Sequence, residues 1–538
     1  MTRLNFKSGV LILIMASTGG GSGCSPFIAA PVATTGSSSN STNNTGNSTN
    51  TGSNNNAGGS STSSAGAAAN PACQASASSS SNGFQAGTGS SASPYIICTA
   101  AQLGIMNSYC NSNSSCASTY FQLGQNIDLT STTPTPIDAF NGTLDGQNYT
   151  ISNYSYTAAT PVSPSTCNGT TIVLNGSALP GFYTGAPTLA TPTDAVGFIR
   201  QLNGTVKNIN FSNFTLVGGY ITGGIAAIFS GGTISNSNIS GTSSVTGVWG
   251  VNSNGATGGY PNCFPSGDGP SGETGGIVGF MYQGAITGVY SNAVVSGNMH
   301  VGGLVGSAAT MGNGTTQNSG SGISIANSGA TGNVSGNDTQ VGGLVGVMFG
   351  SITHCYATGN VTSSYSYVGG LVGDMRGAVS TSYATGNVSG SSVAAGIGGL
   401  LGELDMSHTT TTSITVQNSY ATGTVSNARA TSPFAQYNGG LIGISNSAGG
   451  TLALSNSYYA GANTSTTDAA MVGTIAGSIS CSGLFYDNSL TSVGCTHSGS
   501  CTCTGGNTST MQAAATFTGA SWDFTSTWSI ASGYPFLQ

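Results

Sequence analysis

Charge is nearly missing from this chain. Among 538 residues there are 6 Lys or Arg and 13 Asp or Glu, 4% in all, giving a net charge of −7. Soluble globular proteins average roughly 25% charged residues, so a cytosolic enzyme with a charged shell is excluded, and so is a coiled coil. With so few basic residues, nucleic-acid binding has no electrostatic support. Beyond the first 17 residues no apolar run approaches the roughly 18 residues of a spanning helix. What the chain does have is 86 glycines, with Ser, Thr and Asn making up most of its polar surface.

The N-terminus reads as an export signal. Arg3 and Lys7 precede the apolar stretch Val10 to Ala16, followed by small residues up to Cys24. Gly21-Ser22-Gly23-Cys24 resembles the bacterial lipobox, although Gly21 stands where that motif has an aliphatic residue. The resemblance implies lipidation of Cys24 after removal of residues 1–23, and an exported, outer-membrane-anchored protein at the cell surface. Ordinary cleavage and secretion is the alternative. Residues 24–92 are low-complexity Ser, Thr, Asn, Gly and Ala, a composition too poor in apolar groups to offset chain entropy. They are expected to form a disordered stalk. Residues 93–270 are expected to hold an N-terminal cap and irregular early coils, 271–478 the regular repeats, and 479–538 a Cys-rich C-terminal cap.

The repeat carries most of the information. A Gly-Gly-apolar-apolar-Gly core recurs at 275–279, 302–306, 342–346, 369–373, 398–402 and 439–443. Successive starts differ by 27, 40, 27, 29 and 41 residues. Each core is followed by a second element, clearest at Tyr356-Ala-Thr-Gly-Asn-Val361, Tyr383-Ala-Thr-Gly-Asn-Val388 and Tyr420-Ala-Thr-Gly-Thr-Val425. A fixed period of this length marks a solenoid. Three short β-type pieces per unit, without helical spacing, predict an all-β, right-handed parallel β-helix of coils about 27 residues long. Strand alternation places Leu371, Gly373 and Met375 inside. Carried through the second piece, it places Val379, Thr381 and Tyr383 inside too, and Cys355 outside. The tyrosines at 290, 356, 383, 420 and 458 are expected to stack, interrupted at Gly329.

These elements resemble the GLUG-motif repeats of bacterial secreted and surface proteins. The lead-in from Pro94-Tyr95-Ile96-Ile97 to Asp145-Gly146 and the closing segment from Trp522 to Leu537 are similar to those of the same proteins. The resemblance implies an adhesin-like role and supplies no catalytic residue.

An exported chain oxidises its cysteines. Cys110 and Cys116 are near enough to bridge, Cys73 and Cys98 flank the start of the fold, and Cys167 and Cys263 lie in two long insertions. Cys481, Cys495, Cys501 and Cys503 allow three pairings. The run Cys495-x-His497-x3-Cys501-x-Cys503 has ligand types that suit zinc or copper, but disulfides fit the compartment better, so no metal and no cofactor are expected.

Stacking the coils in order aligns the residues after each glycine core. Phe280, Tyr282, Phe349, Asp374, Arg376, Glu403 and Asp405 would then share an outward edge, with His408 in the loop beyond. Exposed aromatics beside carboxylates and an arginine suit a glycan, or a surface or matrix protein of another cell. A solvated turn of offsetting charges is the plainer reading. Carboxyls on adjacent coils also permit a polysaccharide lyase or glycoside hydrolase, but Arg376 would hold its acid neighbours ionised, which counts against catalysis. The preferred expectation is a structural or adhesive rod without enzyme activity, touching a membrane only through its lipid and binding no nucleic acid.

Overall fold

The computed structural model describes residues 69–112, 114–158, 173–174, 177–178, 195–219, 221–248, 272–309, 321–390, 396–407, 412–427, 438–463, 469–491, 494–498 and 500–538. The export signal, Cys24, most of the stalk, the Cys167–Cys263 pairing and His408 lie outside these residues. The described residues fall within one compact unit, Ser63–Gln538.

It is a parallel β-helix. A typical coil has five short strands: Val341–Gly342, Val345–Met348, Ser351–Thr353, Tyr356–Ala357 and Val361–Ser363. Strands in the first and fifth positions each form an eight-stranded sheet, and the middle three positions join a 31-stranded sheet. Insertions leave the register intact. Val305 pairs with Val345, forty residues on, and Val345 with Val372. Leu344, Val345, Met348, Ile352, Ala357 and Val361 of one coil are all buried in a core that continues through its neighbours. One coil could not bury this face alone, so stability is shared between neighbours.

Both repeat motifs have steric explanations. A Cβ on Gly343 or Gly370 would overlap the carbonyl oxygen of Gly370 or Gly399 in the next coil. A Cβ on Gly359, Gly386 or Gly423 would overlap the carbonyl of Gly332, Gly359 or Gly386 in the coil before. Only glycine lets successive backbones approach this closely. The following Asn forms a ladder: Asn360 N–H donates to Asn333 Oδ1 (2.9 Å), Asn387 N–H to Asn360 Oδ1 (3.0 Å) and Thr424 N–H to Asn387 Oδ1 (2.9 Å).

The expected alternation fails at one corner. The piece Val379–Tyr383 is not one strand, because Thr381 has φ +48°, as do its counterparts His354 (+52°) and Asn418 (+49°) to within a few degrees. This left-handed residue turns the chain and reverses the side-chain parity beyond it. Ser382 and Ala384 therefore point inward and Tyr383 outward. The tyrosines do stack, but on the outside of the corner. Ring centroids are 5.4 Å apart for Tyr356–Tyr383 and 4.9 Å for both Tyr383–Tyr420 and Tyr420–Tyr458. Tyr356 leans over Gly329 to come within 6.1 Å of Tyr290.

The same parity reversal corrects Cys355, which is buried and has no disulfide. It occupies a buried serine column. Ser382, Ser419 and Ser457 each donate a 2.8 Å bond to the carbonyl two residues back. They also accept from the N–H of the same position in the preceding coil. Cys355 Sγ makes the equivalent contact to the Thr353 carbonyl at 3.3 Å, and burial pushes its thiol up to about 12.

Both ends are capped. Residues 69–92, assigned to the stalk on composition, begin the folded part: Cys73 is bridged to Cys98, and Phe84 is fully buried, stacked 4.7 Å from Tyr95. Low complexity around these two anchors hid them. A helix, Ala100–Ser112, follows, and Cys110 pairs with Cys116. At the other end Cys481 pairs with Cys501 and Cys495 with Cys503. The solenoid itself runs past residue 478, since Ile479–Asp487 pairs with Thr451–Tyr459. The closing segment lays Trp528 and Tyr534 over Tyr458, whose hydroxyl donates to the Pro535 carbonyl at 2.7 Å.

If the close approach of backbones sets the register, Gly386→Val should lower stability in urea by about 3 kcal/mol or more, at the upper end of overpacking costs. Thr385→Ala, on the exposed face beside it, should change it by less than about 0.5 kcal/mol. Equal effects would mean that the glycine is not a contact point.

Candidate functional site

The residues after the glycine core do form a vertical file. Phe280, Ser307, Val347, Asp374, Glu403 and Ile444 are successive register partners. The file is enclosed, however, which corrects the expectation of an open edge. Phe280 and Asp374 are fully buried, Phe349, Arg376, Glu403 and Asp405 are also buried, and Tyr282 is half-buried. The cause lies in the bend between the first two strand positions. Leu371 is buried in the core at this bend. A Cβ on Gly369 would overlap the Val372 carbonyl, and one on Gly373 the Val341 amide of the coil before. The two strands therefore close on each other across a hollow floored by these glycines. Gly373, expected inside, faces the neighbouring strand instead.

Within the concavity Arg376 grips Asp374, with Nη2 2.7 Å and Nε 3.0 Å from Oδ2. Its Nε lies 3.9 Å from Asp405 Oδ2, and its guanidinium stands 5.0 Å from the Phe349 ring centre, a cation–π contact. Asp405 also accepts from the N–H (2.9 Å) and Oγ (2.6 Å) of Ser407. Glu403 lies one rung from Asp374. Burial, then the carboxylates of Asp374 and Asp405, push its carboxyl well above the usual range, against the opposing pull of Arg376. Tyr367 adjoins the group, and its phenol is raised by burial first and by the nearby carboxylates second.

Tyr367 belongs to a second file that was not singled out from sequence. Glu273, His300, Gln340 and Tyr367 each stand two residues before a Gly-Gly pair. That shared offset was the available signal. Register places them on successive coils. His300 Nδ1 and Glu273 Oε1 are 3.2 Å apart and both residues are buried.

Chemically, the enclosed group binds coils together and leaves little room for a substrate. The carboxyls of Asp374 and Glu403 stand on adjacent rungs, but both are buried. The sulfurs of the terminal cysteine run are all in disulfides, Cys495 with Cys503 and Cys501 with Cys481. Among the described residues no group of three or more His, Cys, Asp or Glu is placed to hold a metal.

The fold and its stacked files define a class: a glycine-floored parallel β-helix closed by disulfide-bearing caps. Residues 337–362 match the GLUG motif, and the Gly-Gly cores of the adjoining coils lie in register with that segment. No curated protein matches the chain. Among solved structures, a candidate immunoglobulin A1 protease from Bacteroides ovatus is similar over 85% of this chain and 95% of that one, at 18% identity and a TM-score of 0.35.

Raising a carboxyl's pKa on folding makes its contribution to stability complete below the ordinary value of 4.5 and progressively lost as pH rises towards the raised value. The slope is about 1.4 kcal/mol per pH unit at 25 °C. Glu403→Gln should therefore flatten the fall in thermal stability above pH 5. A variant that tracks the parent at every pH would show that Glu403 is ionised in the folded protein.

Proposed function

We propose that this chain is a cell-surface attachment protein, a rigid neutral rod held away from the membrane by its N-terminal segment and a lipid on Cys24. The observation that carries the reading is the segregation of charge. All three Lys and Arg among the described residues are in ion pairs: Arg200 with Asp138, Lys207 with Asp145 and Arg376 with Asp374. The outward columns are left to hydroxyls and amides. Thr353, Ser380 and Gln417 form one such column, and Ser335, Thr362, Ser389 and Ser426 another. Such a surface offers many weak neutral contacts, and a repeated array gains strength by multivalency. The partner is a glycan, or a surface or matrix protein of another cell. Disulfides at both ends suit an oxidising compartment.

The glycan-cleaving alternative needs carboxyls that reach a substrate, and those of Asp374 and Glu403 are enclosed. Binding without cleavage is the reading adopted.

Attachment of cells displaying the protein should change less than about twofold between 0.05 and 0.5 M NaCl, because so few charges lie on the surface to be screened. A steep loss with salt would overturn the neutral-surface reading. Release of reducing ends from bound glycan, abolished by Glu403→Gln, would restore the enzyme. The tether is tested separately: palmitate should label the parent and not Cys24→Ala, and labelling of both would remove Cys24 from the account.

A further inference from the structure

The corner joining the fifth strand of one coil to the first of the next is short in successive coils, at residues 337–340 and 364–367. Between these two corners and the end of the strand Val388–Gly390 in the coil that follows, the outer face opens into a shallow cavity of about 360 Å³. Ser335, Asn337, Thr362, Ser364 and Ser389 line it, and all five are exposed. Tyr365, next to Ser364, is 43% exposed, one of few large rings on the described surface. The rim is pre-set. Ser363 Oγ donates to the Asp338 carbonyl at 2.7 Å and accepts from Tyr365 N–H at 3.2 Å, tying two adjacent short corners together.

We propose that this notch is a subsite for one or two rings of an uncharged polysaccharide. The inference rests on the attachment reading and gives it a location, away from the enclosed edge expected from sequence. Serine, threonine and asparagine side chains both donate and accept, which matches sugar hydroxyls that do the same. No formally charged side chain lines the cavity, so a sulfated or uronate chain gains nothing there. An exposed tyrosine offers an apolar ring to a pyranose face and keeps a polar tip in water. The volume lies near the lower end of small-ligand sites, suited to a ring or two and not to a folded partner. From the notch the hydroxyl column Ser296, Ser335, Thr362, Ser389 and Ser426 continues along neighbouring coils. A polymer seated in the notch, with Tyr365 beyond its Ser364 edge, can therefore extend along neighbouring coils.

The test uses the full-length chain, titrated by calorimetry and saturation-transfer NMR with cellohexaose, mannohexaose and N-acetylchitohexaose, and with hexagalacturonate as the charged counterpart. At least one neutral hexaose should bind with a dissociation constant of about a millimolar, and more tightly than the uronate. The double variant Asn337→Ala/Tyr365→Ala should weaken it at least tenfold, with unchanged circular dichroism. Tyr290→Ala, which removes another exposed ring on a different corner, should leave it unaltered. Undiminished binding by the double variant overturns the notch while leaving the attachment reading intact. Binding of no neutral hexaose, or preference for the uronate, overturns the proposed ligand class. The attachment reading itself stands or falls by the cell assay.

Discussion

Backbone-to-backbone approach between successive coils is the constraint on which everything else in this molecule depends. Where Gly343 meets Gly370, or Gly386 meets Gly359, there is no space for a side chain, and two such contact points per coil lock each turn over the next. Once the coils are locked, like residues must lie above like. Tyrosine rings stack face to face, serine hydroxyls satisfy buried N–H groups, and asparagine carbonyls receive the N–H of the following coil. Each ladder adds little by itself, but repeated coils add the same contribution many times, as in other nearest-neighbour solenoids.

The treatment of charge follows from the same geometry. Beside the Gly-Gly pairs two files of side chains lie close together, and ionisable groups meet there: Glu273 with His300, and Arg376 with Asp374 and Asp405, next to Glu403. Removing charges from water is costly unless they are paired, and breaking such a pair costs more than forming it contributes. The enclosed cluster therefore holds the coils in one arrangement, with the Glu403 carboxyl pushed upward by burial and by its carboxylate neighbours. The surface facing solvent is left with few charged groups, Asp128 and Asp523 among them.

On the proposed reading, attachment and stability occupy different parts of a coil. The strands and their glycines vary little, and the notch lies at the outer ends of the fifth strands, beside short corners. The tyrosine column shows the same division. Its faces are used up in stacking, and at Tyr420 and Tyr458 the closing segment covers it, so it serves the cap more than any ligand.

The solenoid, its period and the vertical alignment of the glycine cores were legible in the sequence, because a contact point that only glycine can occupy leaves an unmistakable periodic mark. Cysteine content announced the capped ends, although not which of three pairings the terminal four would take. Other properties were decided by tertiary structure. One left-handed residue, at His354, Thr381 and Asn418, reverses the parity that alternation carries forward, and so Cys355 went inside and the tyrosines outside. Asp374, Arg376, Glu403 and Asp405 were correctly aligned with one another, yet nothing in their spacing says whether a bend is convex or concave. Exposure depends on what packs across from a residue, and Tyr367, which adjoins them, lies on a different strand position. Local periodicity can specify which side chains form a file, whereas whether the file meets solvent is settled only when the coil closes on itself.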